Sequence, residues 1–131
     1  MMRALLTVFL AVFSLSVSAA FDPSQMVGFK PANPGDVRVK FSDSDKPTVI
    51  AEHGGFALVN FGREEKCPSG GFYLVNVPRE TYQFIDAGSC SSKLTATLTD
   101  PKGLGSRTVV TQVLTFYLGE LITARYPLYG Y

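Results

Sequence analysis

Hydrophobic and polar residues alternate with a period of two in two segments of the chain. In Val37–Phe41 the apolar residues are separated by Arg38 and Lys40, and in Leu94–Leu98 they are separated by threonines. Successive side chains of a β-strand point to opposite faces, so this period is typical of a strand with one buried face. The pattern therefore predicts a strand at each segment.

Runs of apolar, β-branched and aromatic residues predict the remaining strands. They lie at Thr48–Ala51, Phe56–Phe61, Gly71–Val77, Thr81–Ala87, Thr108–Leu118 and Leu121–Tyr126. Short strands separated by turn signals are typical of a β-sandwich or barrel. We predict an all-β fold, a small antiparallel β-sandwich or barrel of about seven to nine short strands with no helix.

Glycine and proline mark the connections between these strands. Gly54-Gly55 predicts either a hairpin turn or a bulge, and Asp100–Gly103 predicts a turn with Pro at its second position. Gly119-Glu120 suits a two-residue hairpin turn with Gly first. Pro127 lacks a backbone N–H, so we expect it to end the last strand.

Two cysteines bracket the hairpin that Pro78–Glu80 is predicted to turn. If Val77 lies opposite Glu80, the numbers of paired residues sum to 157, and those of Cys67 and Cys90 do the same. The strands then bring the two sulfur atoms close together at the open end of the hairpin. We predict a Cys67–Cys90 disulfide, the alternative being two free buried thiols.

The N-terminus has the three parts of a secretory signal. Arg3 precedes the apolar segment Ala4–Val17, and the small residues Ser18–Ala20 follow it. The apolar segment, about 14 residues long, is shorter than the ~20 residues of a transmembrane helix, which is the alternative interpretation. We predict cleavage after Ala19 or Ala20 and export to the periplasm or the medium, without stable membrane insertion afterwards.

Residues 1–19 are thus the predicted signal peptide, and residues 20–36 form an irregular segment rich in proline. Phe21, Met26, Val27 and Phe29 are apolar, so we expect part of this segment to dock on the domain. Residues 37–131 form the predicted single β-rich domain. The roughly 110 residues that remain after signal cleavage suffice for one domain only.

Charge does not favour a nucleic-acid or lipid partner. One of the twelve basic residues is Arg3, so eleven remain against eleven acidic residues, and they form no basic run. Binding to nucleic acid or to anionic lipid depends on clustered Lys and Arg. We therefore expect neither partner.

Catalytic chemistry is weakly represented. His53 is the only histidine, and Gly54-Gly55 beside it resembles an esterase oxyanion loop, but the chain has no Gly-x-Ser-x-Gly motif. The acidic clusters Asp43–Asp45 and Glu64–Glu65 lie in predicted turns, where neighbouring carboxylates point apart. We predict a protein that is not an enzyme and that carries no metal or cofactor.

The candidate partner-binding residues lie in charged loops and in a tyrosine-rich C-terminus. They are Arg63, Glu64, Glu65, Arg79, Glu80, Tyr126, Tyr129 and Tyr131. Tyrosine and arginine are common in protein interfaces, although tyrosines also fill the ends of small β cores.

In size, charge and single disulfide the chain resembles periplasmic inhibitors of cell-wall hydrolases and immunity proteins against toxins. We predict an exported, non-enzymatic protein-binding module, an inhibitor or an immunity protein. The alternatives are a small-molecule or glycan-binding carrier and an accessory subunit of an envelope assembly.

Overall fold

The computed structural model describes residues 21–101 and 110–129. The predicted signal peptide, the second half of the Asp100–Gly103 turn and Tyr131 lie outside the described residues. The described chain contains a 3₁₀-helix at Pro23–Gly28 and eight strands: β1 Lys30–Pro31, β2 Thr48–His53, β3 Phe56–Phe61, β4 Gly71–Asn76, β5 Thr81–Ile85, β6 Leu94–Thr99, β7 Val110–Leu118 and β8 Leu121–Tyr129. The predicted all-β class is confirmed, whereas the expectation of no helix is wrong for Pro23–Gly28, which forms one short 3₁₀-helix.

The strands form two sheets that pack against each other. One sheet has five strands in the order β1-β5-β4-β3-β2, and the other has three in the order β6-β7-β8. All pairings are antiparallel except the short parallel pairing of β1 with β5. Between the sheets lies a core that includes Leu58 and Leu74 from one side and Leu114 and Phe116 from the other.

The β4–β5 hairpin has the predicted register. Phe72 pairs with Ile85 and Asn76 pairs with Thr81, so the paired numbers sum to 157. The Cys67–Cys90 disulfide is present, with its two Cα atoms 4.7 Å apart. Sequence spacing alone therefore predicts the position of the disulfide at the open end of this hairpin.

Two further turn predictions are confirmed. Residues Gly54-Gly55 form a hairpin turn, because His53 pairs with Phe56 across them. Gly119 joins β7 to β8 with a φ angle of 65°, and Leu118 pairs with Leu121 across the turn. A left-handed φ of this kind is readily adopted by glycine, which lacks a Cβ atom.

The N-terminal segment covers the outer face of the five-stranded sheet. Phe21, Met26 and Phe29 are buried there in a second hydrophobic cluster, against residues such as Val59 and Val75. The segment is also fixed at its start, because the Phe21 backbone N–H donates to Glu52 Oε1 at 2.8 Å. This second cover explains why β3 is apolar at every position except Asn60, a pattern typical of a strand buried on both faces.

Part of the predicted irregular segment is regular. Asp22 caps the 3₁₀-helix by accepting a hydrogen bond from the Ser24 backbone N–H, and Pro23 occupies its first turn. Strand β1 then pairs with β5 over two residues. No helix of the described residues is long and apolar enough to cross a bilayer.

The predicted strand at Val37–Phe41 is wrong, since this extended segment pairs with no other strand. Its backbone bonds instead to a side chain, because the Val39 N–H donates to the Tyr82 hydroxyl at 2.7 Å. Val39 is buried, whereas Val37 is 88% exposed. Only Val39 and, in part, Phe41 pack against the sheet, so the alternation does not mark a strand with one buried face.

The prediction that Pro127 ends the last strand is also wrong, because β8 continues to Tyr129 and Pro127 pairs with Val113. β8 is an edge strand of the three-stranded sheet. Proline is tolerated in an edge strand, where one side of the backbone needs no ladder partner.

Candidate functional site

A cluster of aromatic rings lies on the outer face of the five-stranded sheet. Phe61 of β3, Tyr73 of β4 and Phe84 of β5 meet there with Phe41, and we call these four residues the aromatic patch. The rings of Phe61 and Tyr73 are stacked, with centroids 4.7 Å apart. Tyr73 is central, since Phe41 and Phe84 meet its ring edge to face at 6.4 and 6.1 Å. The patch is therefore a packed group of rings.

A glycine in β4 lets these rings come together. Gly71 pairs with Phe61 and has no side chain to occupy the sheet face. A Cβ atom added there would lie 2.9 Å from Phe61 Cζ and 3.4 Å from Phe84 Cε2. The two rings therefore cover the backbone of Gly71, and a larger residue would push Phe61 away.

The patch is partly open to solvent. The Phe84 side chain is 63% exposed, and a groove of about 270 Å³ lies between it and the exposed Val37. Burial raises the pKa of Tyr73 above 10.0, with further contributions from Tyr82 and Asp45, so its hydroxyl is neutral at physiological pH. The patch therefore offers uncharged aromatic surface without exposing all of its rings.

The predicted residues Arg63, Glu64 and Glu65 lie in the loop that follows Phe61. Asn60 fixes the start of this loop: its Nδ2 donates to Ser69 O at 2.6 Å and to Gly71 O at 3.0 Å, and its Oδ1 accepts from Arg63 Nε at 3.1 Å. Arg63 is thereby held beside Phe61, next to the disulfide.

A polar groove of about 460 Å³ adjoins the patch. Phe61, Arg63, Lys46 and Asp45 contribute to its lining. The backbone oxygen of Asp45 accepts from the Gly62 N–H at 2.9 Å, which ties the loop before β2 to the loop after β3. Charges of both signs therefore lie at the rim of the aromatic patch.

The other predicted partner-binding residues are elsewhere. Arg79 and Glu80 form the turn at the far end of β4 and β5, roughly 17 Å from Gly71 along β4. Tyr129 is 58% exposed and lines a groove together with Arg79. The structure thus separates the predicted residues into two groups, at opposite ends of the β4–β5 hairpin.

Tyr126 has a structural position. It packs against the core between the sheets, and its hydroxyl donates to the backbone oxygen of Asp86. Burial first, and then Asp86, raises its pKa above 10.0. The alternative that tyrosines fill the core therefore describes Tyr126, while Tyr131 lies outside the described residues.

His53 Nε2 shares a hydrogen bond with Asp100 Oδ1 at 2.8 Å, with the two side chains 42% and 77% exposed. Among residues 21–101 and 110–129, no Ser, Thr or Cys side chain bonds to His53, and no group of His, Cys, Asp and Glu could hold a metal ion. The backbone of the β2–β3 turn at His53 is held by Gln112, whose Nε2 donates to the backbone oxygens of His53 and Gly54 at 2.7 and 3.1 Å. This arrangement is an exposed hydrogen bond between two side chains, with His53 at a hairpin turn.

Sequence reasoning missed the aromatic patch, although one signal was present. The register that places Cys67 opposite Cys90 also places Tyr73 opposite Phe84, and the structure has this pair. What the sequence lacked was the β3–β4 register, which brings Phe61 to the same face. Comparison with protein-family models, with curated proteins and with solved structures finds no match for this chain.

Proposed function

We propose that this protein is an exported, non-enzymatic module that binds another protein through the aromatic patch. The observation that carries the proposal is Phe84, which is 63% exposed on top of rings that are themselves packed together. An exposed aromatic side chain on a prearranged base loses little conformational entropy on binding. Residues of this kind supply most of the energy in protein interfaces.

The surroundings of the patch favour a protein partner. Arg63 and Lys46 line the adjoining groove with Asp45, and Glu64 and Glu65 follow Arg63 in its loop, so charges of both signs lie near the patch. Protein interfaces combine an aromatic centre with a polar rim, and arginine is enriched in them. A nucleic acid would require an excess of positive charge, which this rim does not provide.

Export is part of the proposal. The Cys67–Cys90 disulfide fits an oxidising compartment, and the N-terminal sequence has the order of a signal peptide. Mass spectrometry of the protein recovered from the periplasm or the medium tests this. We expect an N-terminus at Ala20 or Phe21, and a retained Met1 in the membrane fraction would contradict it.

Within this class we propose an inhibitor of a cell-wall hydrolase or an immunity protein against a toxin. Both act by forming a stoichiometric complex, which needs a rigid surface and no catalytic group. The disulfide and the Asn60 bonds supply that rigidity next to the patch.

Affinity capture from envelope extract and culture supernatant tests the proposal when a matched pair of variants is included. Phe84→Ser removes the exposed ring of the patch, whereas Leu121→Ser removes a side chain that is 66% exposed on the other sheet. We expect one near-stoichiometric protein with wild type and with Leu121→Ser, and none with Phe84→Ser.

Three outcomes would contradict the proposal: no captured protein with wild type, equal capture by all three forms, or loss with both variants. A large assembly captured instead of a single protein would favour an accessory subunit of the envelope.

A further inference from the structure

We infer that the groove between β5 and β8 binds a small organic carboxylate with an apolar body. This site is distinct from the aromatic patch, and it lies at the end of the β4–β5 hairpin that carries Arg79. Its lining comes from both sheets and includes Gln83 of β5 and Leu128 and Tyr129 of β8. The mouth of a sandwich between two sheet edges is a common place for a ligand.

The base of the groove is apolar. Phe56, Leu74 and Leu128 contribute to its lining, and all three are more than nine-tenths buried. The volume is about 340 Å³, at the lower end of the range for small-molecule sites. The groove therefore suits one ring or one short branched chain, placed over these three side chains.

One charge distinguishes the rim. Arg79 is the only charged residue among the described lining residues, and its guanidinium has no hydrogen-bond or ion-pair partner among them. Asn76, Thr81 and Gln83 add neutral polar groups on the same side. A guanidinium without an ion-pair partner can bind a carboxylate through two parallel hydrogen bonds.

The turn that presents Arg79 is fixed in place. The Arg79 backbone N–H donates to Asn76 Oδ1 at 3.2 Å, and Glu80 bonds through its N–H to Val77 O at 3.1 Å and through its oxygen to the Lys30 N–H at 3.0 Å. Glu80 also has a φ of 56°, a left-handed conformation that is unfavourable for a residue with a Cβ atom. Strained residues held in this way are concentrated at ligand sites.

A nuclear magnetic resonance titration of the purified, disulfide-bonded protein tests the inference. The probe is 3-phenylpropanoate, and its matched control is 3-phenylpropanamide, which has the same shape without the charge. We expect saturable shifts at the amides of Arg79–Gln83, with a Kd of about 1 mM or tighter for the acid. The amide should bind at least tenfold more weakly, because it cannot form the charge-assisted pair.

Variants separate this site from the aromatic patch. Arg79→Gln should weaken binding of the acid at least tenfold, whereas Arg63→Gln, a like substitution at the other end of the hairpin, should leave the Kd unchanged. Phe84→Ser should bind the acid as wild type does, so failure of the protein-binding proposal would not affect this result. Equal binding of acid and amide, shifts confined to other residues, or no saturation at about 10 mM would overturn the inference.

Discussion

The two sheets differ in their outer faces. The five-stranded sheet is covered by the segment that contains Met26, and its remaining open area bears the aromatic patch. The three-stranded sheet has no such cover among the described residues, and Thr95, Thr97 and Thr99 of β6 are exposed on it. Leu121 and Ile122 of β8 are exposed as well, but they are aliphatic, whereas Phe84 is an exposed ring that packs against other rings. We propose that a partner contacts these rings.

Removal of the disulfide should cause the largest loss of stability. Cys67 precedes β4 and Cys90 follows β5, so the loop that the disulfide closes belongs to the five-stranded sheet. Cys67 and Cys90 are 23 residues apart, and closing a loop of this length contributes about 3.5 kcal/mol. Cys67→Ser with Cys90→Ser should lower the free energy of unfolding by about this amount, as measured in urea. A loss of unfolding free energy below about 1 kcal/mol would show that the hairpin does not depend on the disulfide.

Loss of packing beneath the cover comes next. Met26 is fully buried, so Met26→Ala should lower the free energy of unfolding by about 3 kcal/mol. Thr97→Ala is the control on the uncovered sheet, and it should change stability by less than about 0.5 kcal/mol. Similar losses in both variants would mean that the cover contributes little to the fold.

The sequence partly predicts that one sheet is covered on its outer face and the other is not. β6 alternates strictly, as a half-exposed strand does, whereas Phe56–Phe61 of β3 is apolar except for Asn60. Periodicity nevertheless could not show what covers β3. The covering N-terminal segment bonds mainly to side chains, and it pairs with a strand over only two residues. Val37–Phe41 has strand periodicity, yet its backbone joins no ladder and Val37 is exposed.

Turn geometry gives a smaller contrast between the sheets. The β4–β5 turn holds Glu80 at a φ of 56°, while the β7–β8 turn has Gly119 at 65°. Glu80→Gly should raise the free energy of unfolding by about 0.5 to 1 kcal/mol, since relief of strain exceeds the entropic cost of glycine. Gly119→Ala should lower it by about 1 kcal/mol. Destabilisation by Glu80→Gly in thermal unfolding would contradict this account.

Alkaline pH should produce the smallest effect. The raised pKa of Tyr73 and Tyr126 means that the folded state holds each phenol proton more tightly than the unfolded state does. Their contribution is therefore complete below pH 10.0 and is lost as pH rises from there towards the folded pKa.

Phe substitutions distinguish the two tyrosines. Each of Tyr73→Phe and Tyr126→Phe should flatten the fall in stability above pH 10.0. At neutral pH only Tyr126→Phe should cost about 1 kcal/mol, because its hydroxyl bonds to Asp86 O. Urea unfolding at pH 7 to 11 measures both effects, and an unchanged alkaline slope in either variant would contradict the assignment.

The candidate site was less predictable than the fold. The sequence indicates Arg63, Glu64 and Glu65 only as surface charge, and the structure places Arg63 beside Phe61, one of four rings that the sequence scatters over more than forty positions. Exposure cannot be deduced from residue type: Tyr126 and Phe84 lie on neighbouring parts of the chain in space, yet one packs inward and the other lies open. Only the register and the path of the covering segment decide which ring remains available.

The most direct test of the central claim is the affinity of the captured partner for three forms of the protein, measured by biolayer interferometry. The account predicts that Phe84→Ser raises the Kd by about 30-fold or more, as expected for an interface hot spot, while Leu121→Ser stays within about threefold of wild type. A wild-type Kd in Phe84→Ser, or an equal loss in Leu121→Ser, would contradict binding through the aromatic patch.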